Sequence, residues 1–321
     1  MTFLSDSALQ RLRVAADAPD LTGTRYRLLG KLGQGGMGGV FRVDDSTLER
    51  EVALKVINVA DPDLSARLLQ EARVIAKLEH PGIVPVHDAG MLPDGRPYYT
   101  MKLVQGKRLD EMRDEAVAMA DRLRTFLRIC EPVAFAHAHG VLHRDLKPTN
   151  IMIGPFGEVL VMDWGLSKVL AEGMGSAESG SVAEDRPDPV AVVATAHGSV
   201  LGTPGYMAPE QRNGEIVDQR ADVYALGAIL EFLLQAAQPR QPARLAAIWR
   251  KAKAEDRAVR YASVADLADD VAHFVDGRPV SAYPEGVLSR AWRWIARNRT
   301  WILLLLVYVV VRALLILFRP R

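Results

Sequence analysis

The stretch His143-Arg-Asp-Leu-Lys-Pro-Thr-Asn150 gathers an acid, a base and an amide in one short loop. Lys147 stands two residues after Asp145 and Asn150 five after it, with Pro148 stiffening the bend between them. Past an apolar run comes Asp163-Trp164-Gly165. Far upstream lie Gly33-Gln-Gly-Gly-Met-Gly-Gly-Val40 and a lysine, Lys55, inside an apolar strand. Carboxylate and amide oxygens suit a hard cation, glycines admit phosphate oxygens, and lysines offset phosphate charge. Together these residue types point to phosphoryl transfer from a nucleotide.

The elements that must position them follow from periodicity. Tyr26 to Gly33 reads as a strand that runs into glycines, and Val40-Phe-Arg-Val43 as the next strand. Gly33, Gly35, Gly38 and Val40 fit G-x-G-x-x-G-x-V, where backbone N–H groups approach phosphate without a Cβ in the way. A Gly-rich hairpin without a ligand is the plainer alternative. Its place between two strands argues against a dinucleotide-binding fold, in which a helix follows the glycines. From Glu51 to Ile57, Val52, Leu54 and Val56 share one face, while Ala53, Lys55 and Ile57 share the other. Leu64, Leu68, Ile75 and Leu78 give residues 63–79 a helical stripe, and Glu71 falls on it. A carboxylate on a buried face wants a cation, and Lys55 is the obvious partner. Residues 121–139 read as a helix kinked by Pro132 and stopped by Gly140. Cys130 within it is read as a buried, inert thiol, and His137 and His139 as packing or solvent-facing residues.

The loop around Asp145, with the glycine turn, Lys55 and Asp163, resembles the motif set of the eukaryotic-type (Hanks-type) Ser/Thr protein kinases found in bacteria. The resemblance covers residues 26–278. It implies an α+β, two-lobed fold: a β-rich lobe over 26–104 and a helical lobe over 105–278, with ATP between them. It implies that Asp145 orients the substrate hydroxyl and accepts its proton, that Lys147 reaches the γ-phosphate, and that Lys55, paired with Glu71, holds the nucleotide phosphates. Asn150 and Asp163 would hold Mg²⁺, with Mn²⁺ as an alternative. Leu32, Gly33, Gln34, Gly35, Gly36, Met37, Gly38, Gly39, Val40 and Ala53 would cover the nucleotide, Met101, Lys102 and Val104 would form its hinge, and Met152 would pack under adenine. His143 and Arg144 would frame the loop, the latter pairing with a phosphorylated segment; Asp222 would brace it from below, and Glu210 would pair with Arg260.

Residues 170–199 are rich in Gly, Ala, Ser, Asp and Glu without periodicity, and Gly202-Thr-Pro-Gly-Tyr-Met-Ala-Pro-Glu210 closes them like the end of an activation segment. Thr203 would line the substrate site. Thr195 and Ser199 are candidate phosphosites or ordinary polar linker. Three features depart from the family pattern. Trp164 replaces the usual Phe, adding one N–H donor, Lys102 stands where an acid is common, and the connection from Gln235 to Arg244 is too short for the family's substrate-docking segment. That shortening bears on protein docking, not on ATP chemistry.

Of 321 residues, 40 are Lys or Arg and 39 Asp or Glu, so no global basic field suggests nucleic acid as a partner. One cysteine excludes an intrachain disulfide framework. Residues 1–25 read as an extension with no assigned function, too polar at the start for a signal peptide. Residues 279–300 are a basic, aromatic linker, and 301–318 an apolar run of roughly 27 Å as a helix. Its fourteen Leu, Ile, Val and Phe residues, at roughly −0.4 kcal/mol each, outweigh about +3 kcal/mol for Arg312. A buried soluble helix would leave Arg312 and the Trp/Arg flank unexplained. The reading is a single span in the cell (inner) membrane with the kinase on the cytoplasmic side, and only 319–321 beyond it, hence no extracellular sensor. Expected partners are proteins bearing Ser or Thr, membrane lipid, and a second copy for autophosphorylation in trans. The rivals are a nucleotide-binding pseudokinase scaffold and a small-molecule phosphotransferase, the latter disfavoured by the 202–210 segment.

Overall fold

The computed structural model describes residues 18–35, 38–57, 62–113, 117–164, 205–235, 241–283 and 307–308. The first half is an antiparallel sheet in the order β1-β2-β3-β5-β4, built from β1 (Tyr26–Gly35), β2 (Gly38–Asp45), β3 (Arg50–Ile57), β4 (Val86–Met91) and β5 (Pro97–Lys102). Helix α1 (Pro62–Ala76) lies between β3 and β4. The alternation read in β3 has a physical consequence. Val52, Leu54 and Val56 join Tyr26, Phe41, Val43, Leu92 and Tyr98 in one apolar cluster. Ile57 turns the other way, into a larger core with Tyr99 and with Ala72, Ile75 and Leu78 from α1 and the turn after it. Lys55 lies on the side of that larger core.

The second half is helical around a small sheet. β6 (Lys107–Arg108), β7 (Ile151–Ile153) and β8 (Val159–Val161) pair in that order. α2 (Met119–Ala138) buries Leu123, Phe126, Ile129, Cys130, Val133 and Ala136 along one stripe, with Pro132 inside it. Gly140 follows at φ 74°, which ends the helix. After the short α3 (Pro209–Arg212) come α4 (Arg220–Gln235), α5 (Ala243–Ala252) and α6 (Val264–Val275). α4 is apolar nearly all round, burying Val223, Leu226, Ile229, Leu230, Leu233 and Leu234, so it runs through the core rather than along its surface. A Cβ at Gly227 would come 2.7 Å from that of Ala252, so glycine sets the α4–α5 approach. α6 starts on a capping box: Ser263 accepts from the Asp266 N–H, and Asp266 accepts from the Ser263 N–H.

The larger core draws buried residues from both halves, and Ile83 bridges directly to Val161 of β8. The packed body also continues past 278, because Val280 is buried and Asp270 accepts from the Ser281 and Ala282 amides. Among the described residues no helix is long and apolar enough to cross a membrane. The 301–318 stretch lies outside them except for Val307 and Tyr308, as does the 1–17 part of the N-terminal extension.

Gly106, where the chain enters the helical half, has φ 146°, and a Cβ there would stand 2.2 Å from the Ile153 carbonyl oxygen. Gly95, in the β4–β5 turn, has φ 81° and open space around it. Gly95→Ala should therefore cost only left-handed strain, about 1–2 kcal/mol. Gly106→Ala should add overpacking of about 1–3 kcal/mol. Urea unfolding midpoints of the two variants check this order, and equal losses would refute it.

Candidate active site

β3 and β5 pair so that Lys55 lies opposite Tyr99, and Ala53 opposite Met101. Lys55 Nζ reaches 2.7 Å from Asp163 Oδ1, joining residues 108 positions apart. Burial works against the ammonium, but Tyr99 and the Asp163 carboxylate outweigh it and hold the Lys55 pKa above its ordinary value. Burial likewise opposes the Asp163 charge, and Lys55 keeps that carboxyl below the usual range. Both groups are therefore charged at neutral pH. Glu71 lies within α1 as expected, but its side chain is outside the described residues.

The loop at 143–150 converges on one carboxylate. Lys147 Nζ donates to Asp145 Oδ2 at 2.8 Å, and Asn150 Nδ2 donates to the same oxygen at 3.1 Å and to the Asp145 carbonyl at 2.8 Å. Pro148 opens the 3₁₀ turn Pro148–Asn150, which sets Asn150 facing back. The Asn150 carbonyl accepts from the Met162 N–H at 2.8 Å, so the loop is also tied to the residue before Asp163.

Asp222, on the first turn of α4, carries that loop. Its Oδ2 accepts from the His143 amide and its Oδ1 from the Arg144 amide, each at 2.8 Å, and His137 Nε2 lies 2.7 Å from Oδ2. Arg144 sits at φ 64°, a conformation a branched or long side chain seldom adopts, and Gln211 holds its carbonyl at 2.9 Å. Burial opposes the Asp222 charge, but His137 and the loop amides keep its pKa below the usual carboxylate value. His137 is the residue that sequence reasoning missed. It stands four residues after Val133 and seven after Cys130, on the buried stripe of α2, which was the available signal.

His143 is fully enclosed and reads as neutral. Its Nδ1 accepts from the Asp145 amide at 3.3 Å, so Nε2 carries the hydrogen and donates to the Met162 carbonyl at 2.9 Å. Burial pushes its pKa down, against the nearby carboxylates. Glu210, at the start of α3, meets Arg260 in a bidentate buried pair at 2.6 and 2.8 Å.

The glycine turn is partly described. Leu32, Gly33, Gln34 and Gly35 end β1, and Gly38, Gly39 and Val40 begin β2, pairing Gly33 with Val40 and Gly35 with Gly38. At Gly38, φ is 152° and a Cβ would sit 1.9 Å from the Val56 carbonyl oxygen, so only glycine fits. Lys102 ends β5 and gives its N–H to the Pro85 carbonyl; Val104 follows in the link to β6. Met152 lies in β7. Gly36, Met37, Thr195, Ser199 and Thr203 lie outside the described residues.

Among the described residues no three His, Cys, Asp or Glu side chains gather into a metal cage. What the site offers is the Asp163 carboxylate and the amide oxygen of Asn150, whose nitrogen is already engaged by Asp145. Two hard oxygens fit Mg²⁺, which keeps waters and takes further oxygens from phosphates rather than needing an all-protein shell.

The protein kinase domain family matches residues 26–276. The chain belongs to the protein kinase family. It is 33% identical to the serine/threonine-protein kinase PknD of Protochlamydia amoebophila over 79% of this chain and 30% of that protein. It is 35% identical to the serine/threonine-protein kinase PknD of Chlamydia felis over 79% of this chain and 31% of that protein. It is 40% identical to the DNA damage-responsive serine/threonine-protein kinase RqkA of Deinococcus radiodurans over 64% of this chain and 29% of that protein. The chain thus spans about a third of the length of the curated relatives it matches. The enclosed, neutral His143 gives the fold a pH signature. Its folded pKa lies below the ordinary 6.5. As pH falls below about 6.5 the unfolded chain binds a proton that the folded chain refuses, so stability drops by up to about 1.4 kcal/mol per pH unit. His87 is shifted the same way and contributes its own slope. Unfolding free energies between pH 7 and 5 should therefore fall more steeply for the wild type than for His143→Asn. Parallel curves would refute the assignment.

Proposed function

We propose that this chain is an ATP-dependent protein serine/threonine kinase that moves the γ-phosphoryl group to Ser or Thr hydroxyls of proteins. The observation that carries this reading is the convergence of Lys147 and Asn150 on Asp145, tied through Met162 to the Lys55–Asp163 pair. Asp145 is the group that orients the substrate hydroxyl and takes its proton. Lys147, 2.8 Å from it, orients the Asp145 carboxyl and offsets charge on the transferred group. Lys55 orients the nucleotide phosphates, with Glu71 as its partner on α1. The glycines of β1 and β2, with Ala53, Met101, Lys102, Val104 and Met152, enclose the nucleotide. Asn150 and Asp163 would hold a Mg²⁺ or Mn²⁺ ion, which would neutralise phosphate charge. Most of the rate enhancement then comes from positioning and preorganised charge.

Around this core the reading extends to regulation and location. Thr195 and Ser199 are the candidate autophosphorylation sites, modified in trans within a pair of chains, and Thr203 lines the substrate groove. Residues 301–318 anchor the kinase in the cell membrane as a single span, with the basic linker 279–300 on the cytoplasmic side. The apolar content of that run and the Trp and Arg residues before it support this placement.

Full-length protein in detergent, incubated with Mg²⁺ and labelled ATP, should label Ser or Thr on itself or on a generic protein substrate. Asp145→Asn should lower that rate by about 10²–10⁴-fold while nucleotide still binds. Nucleotide binding without any transfer by the wild type would instead favour the scaffold reading. In cells, the full chain should remain in the membrane pellet after alkaline washing. Replacing the central Val309, Val310 and Val311 by lysine should release it, and equal retention would refute the anchor.

A further inference from the structure

Trp164 occupies the position after Asp163, and its surroundings assign it more than bulk. It is 3% exposed, and its Nε1–H donates to the Val161 carbonyl at 3.1 Å. That same carbonyl accepts from the Val84 amide at 3.4 Å, while the Val161 amide donates to Gly82 at 2.8 Å. The indole therefore grips a strand residue at the junction of the two halves, the one that bridges to Ile83. Its ring lies against His143, with centroids 4.7 Å apart and planes at 46°. His143 in turn donates to the Met162 carbonyl. The two carbonyls preceding Asp163 are thus each held by a ring nitrogen, and the two rings brace each other.

Between these grips and the Lys55 pair sits a backbone that resists its own conformation. Asp163 has φ 55°, the left-handed region that costs a non-glycine residue energy unless its neighbours enforce it. We propose that the Trp164 indole N–H is a positioning device: by holding the Val161 carbonyl it keeps Asp163 in this strained conformation, aimed at Lys55, before any nucleotide or metal arrives. A phenylalanine would fill the same space and leave the second lone pair of that buried carbonyl without its donor. The inference deepens the kinase reading, since Asp163 is the residue assigned to the metal, but its test does not depend on phosphoryl transfer.

The test is the reactivity of Lys55 toward an amine-acylating ester in full-length, nucleotide-free and metal-free protein, followed by peptide mass spectrometry. Exposed Lys77 serves as the internal reference. While Asp163 holds Lys55 at 2.7 Å the amine is protected. Trp164→Phe, which keeps the ring and removes only the donor, should raise Lys55 acylation about tenfold, the factor expected for loss of one buried hydrogen bond. Trp164→Leu, which removes ring and donor, should raise it at least as much. If only the leucine variant reacts faster, ring packing rather than the N–H holds Asp163, and the proposal is overturned. A second reading needs no variant. Among the indole N–H signals of the five tryptophans, that of Trp164 should persist in deuterated water at least about tenfold longer than the fastest-exchanging one; rapid loss would overturn the proposal as well. A Lys55 response in a chain that transfers no phosphate would leave this inference standing and remove the kinase reading instead.

Discussion

One buried carboxylate sets the geometry on which the rest depends. Asp222 is 2% exposed and accepts from two consecutive backbone amides and from His137. An isolated carboxylate at that depth would be strongly unfavourable. Here three donors reach it, and two of them are amides of the segment that carries Asp145. The bond therefore does two things at once. It satisfies Asp222, and it enforces the left-handed conformation of Arg144 that bends Asp145 toward Lys147 and Asn150. The anchor itself stands on α4, the most enclosed helix, where Leu226, Ile229, Leu230 and Leu234 are wholly buried. Stability in the core becomes precision in the loop because the connection between them is short and has no slack.

This arrangement explains which parts were legible from sequence. The strand alternation around Lys55, the long stripe of α2 and the apolar α4 all write burial into spacing, so the scaffold could be read. The Asp145, Lys147 and Asn150 cluster was legible because three reactive types in one loop cannot lie far apart. The partner of Lys55 was harder. Helical spacing nominated Glu71, whose side chain lies outside the described residues; the contact seen at Lys55 runs to Asp163, across 108 residues and from one half of the protein to the other. No local periodicity encodes such a contact. His137 shows the opposite failure. Its place on the buried face of α2 was visible, but a histidine there reads as packing until the acceptor is known. That acceptor, Asp222, comes 85 positions later. The hydrogen bond of Trp164 was half visible: the sequence showed an extra donor, and only the fold showed the carbonyl that takes it.

The two strained residues divide the site between them. Arg144 at φ 64° is held from the helical side, by Asp222 and Gln211. Asp163 at φ 55° is held from the junction side, by the strand that touches Ile83 and by Lys55 of the sheet. The 143–150 loop thus takes its main restraints from the helical side. Asp163 does not, because one of its restraints belongs to the other half. Any shift of the sheet relative to the helices acts first on the Lys55–Asp163 distance and only then, through Met162 and Asn150, on Asp145. In the proposed kinase this would leave Asp145 preset and Asp163 conditional.

The Glu210–Arg260 pair extends the same logic to the segment that follows the phosphosite candidates. Removing two charges from water costs several kcal/mol per ion, so a buried pair is weak evidence of stability by itself. Arg260 is unusual in using every donor it has. Nη1 bonds Glu210 and the Arg220 carbonyl, Nη2 bonds Glu210 and the Glu255 carbonyl, and Nε bonds the Ala254 carbonyl. With five N–H groups satisfied and the guanidinium stacked 5.1 Å from the Tyr224 ring centre, the desolvation cost is met by geometry that only one arrangement provides. The pair thereby fixes the start of α3 against α4 and the loop before α6. Gln211, one residue on, can then reach the Arg144 carbonyl. The end of the activation segment and the catalytic loop are registered to each other through these two adjacent side chains, Glu210 facing the core and Gln211 facing the site.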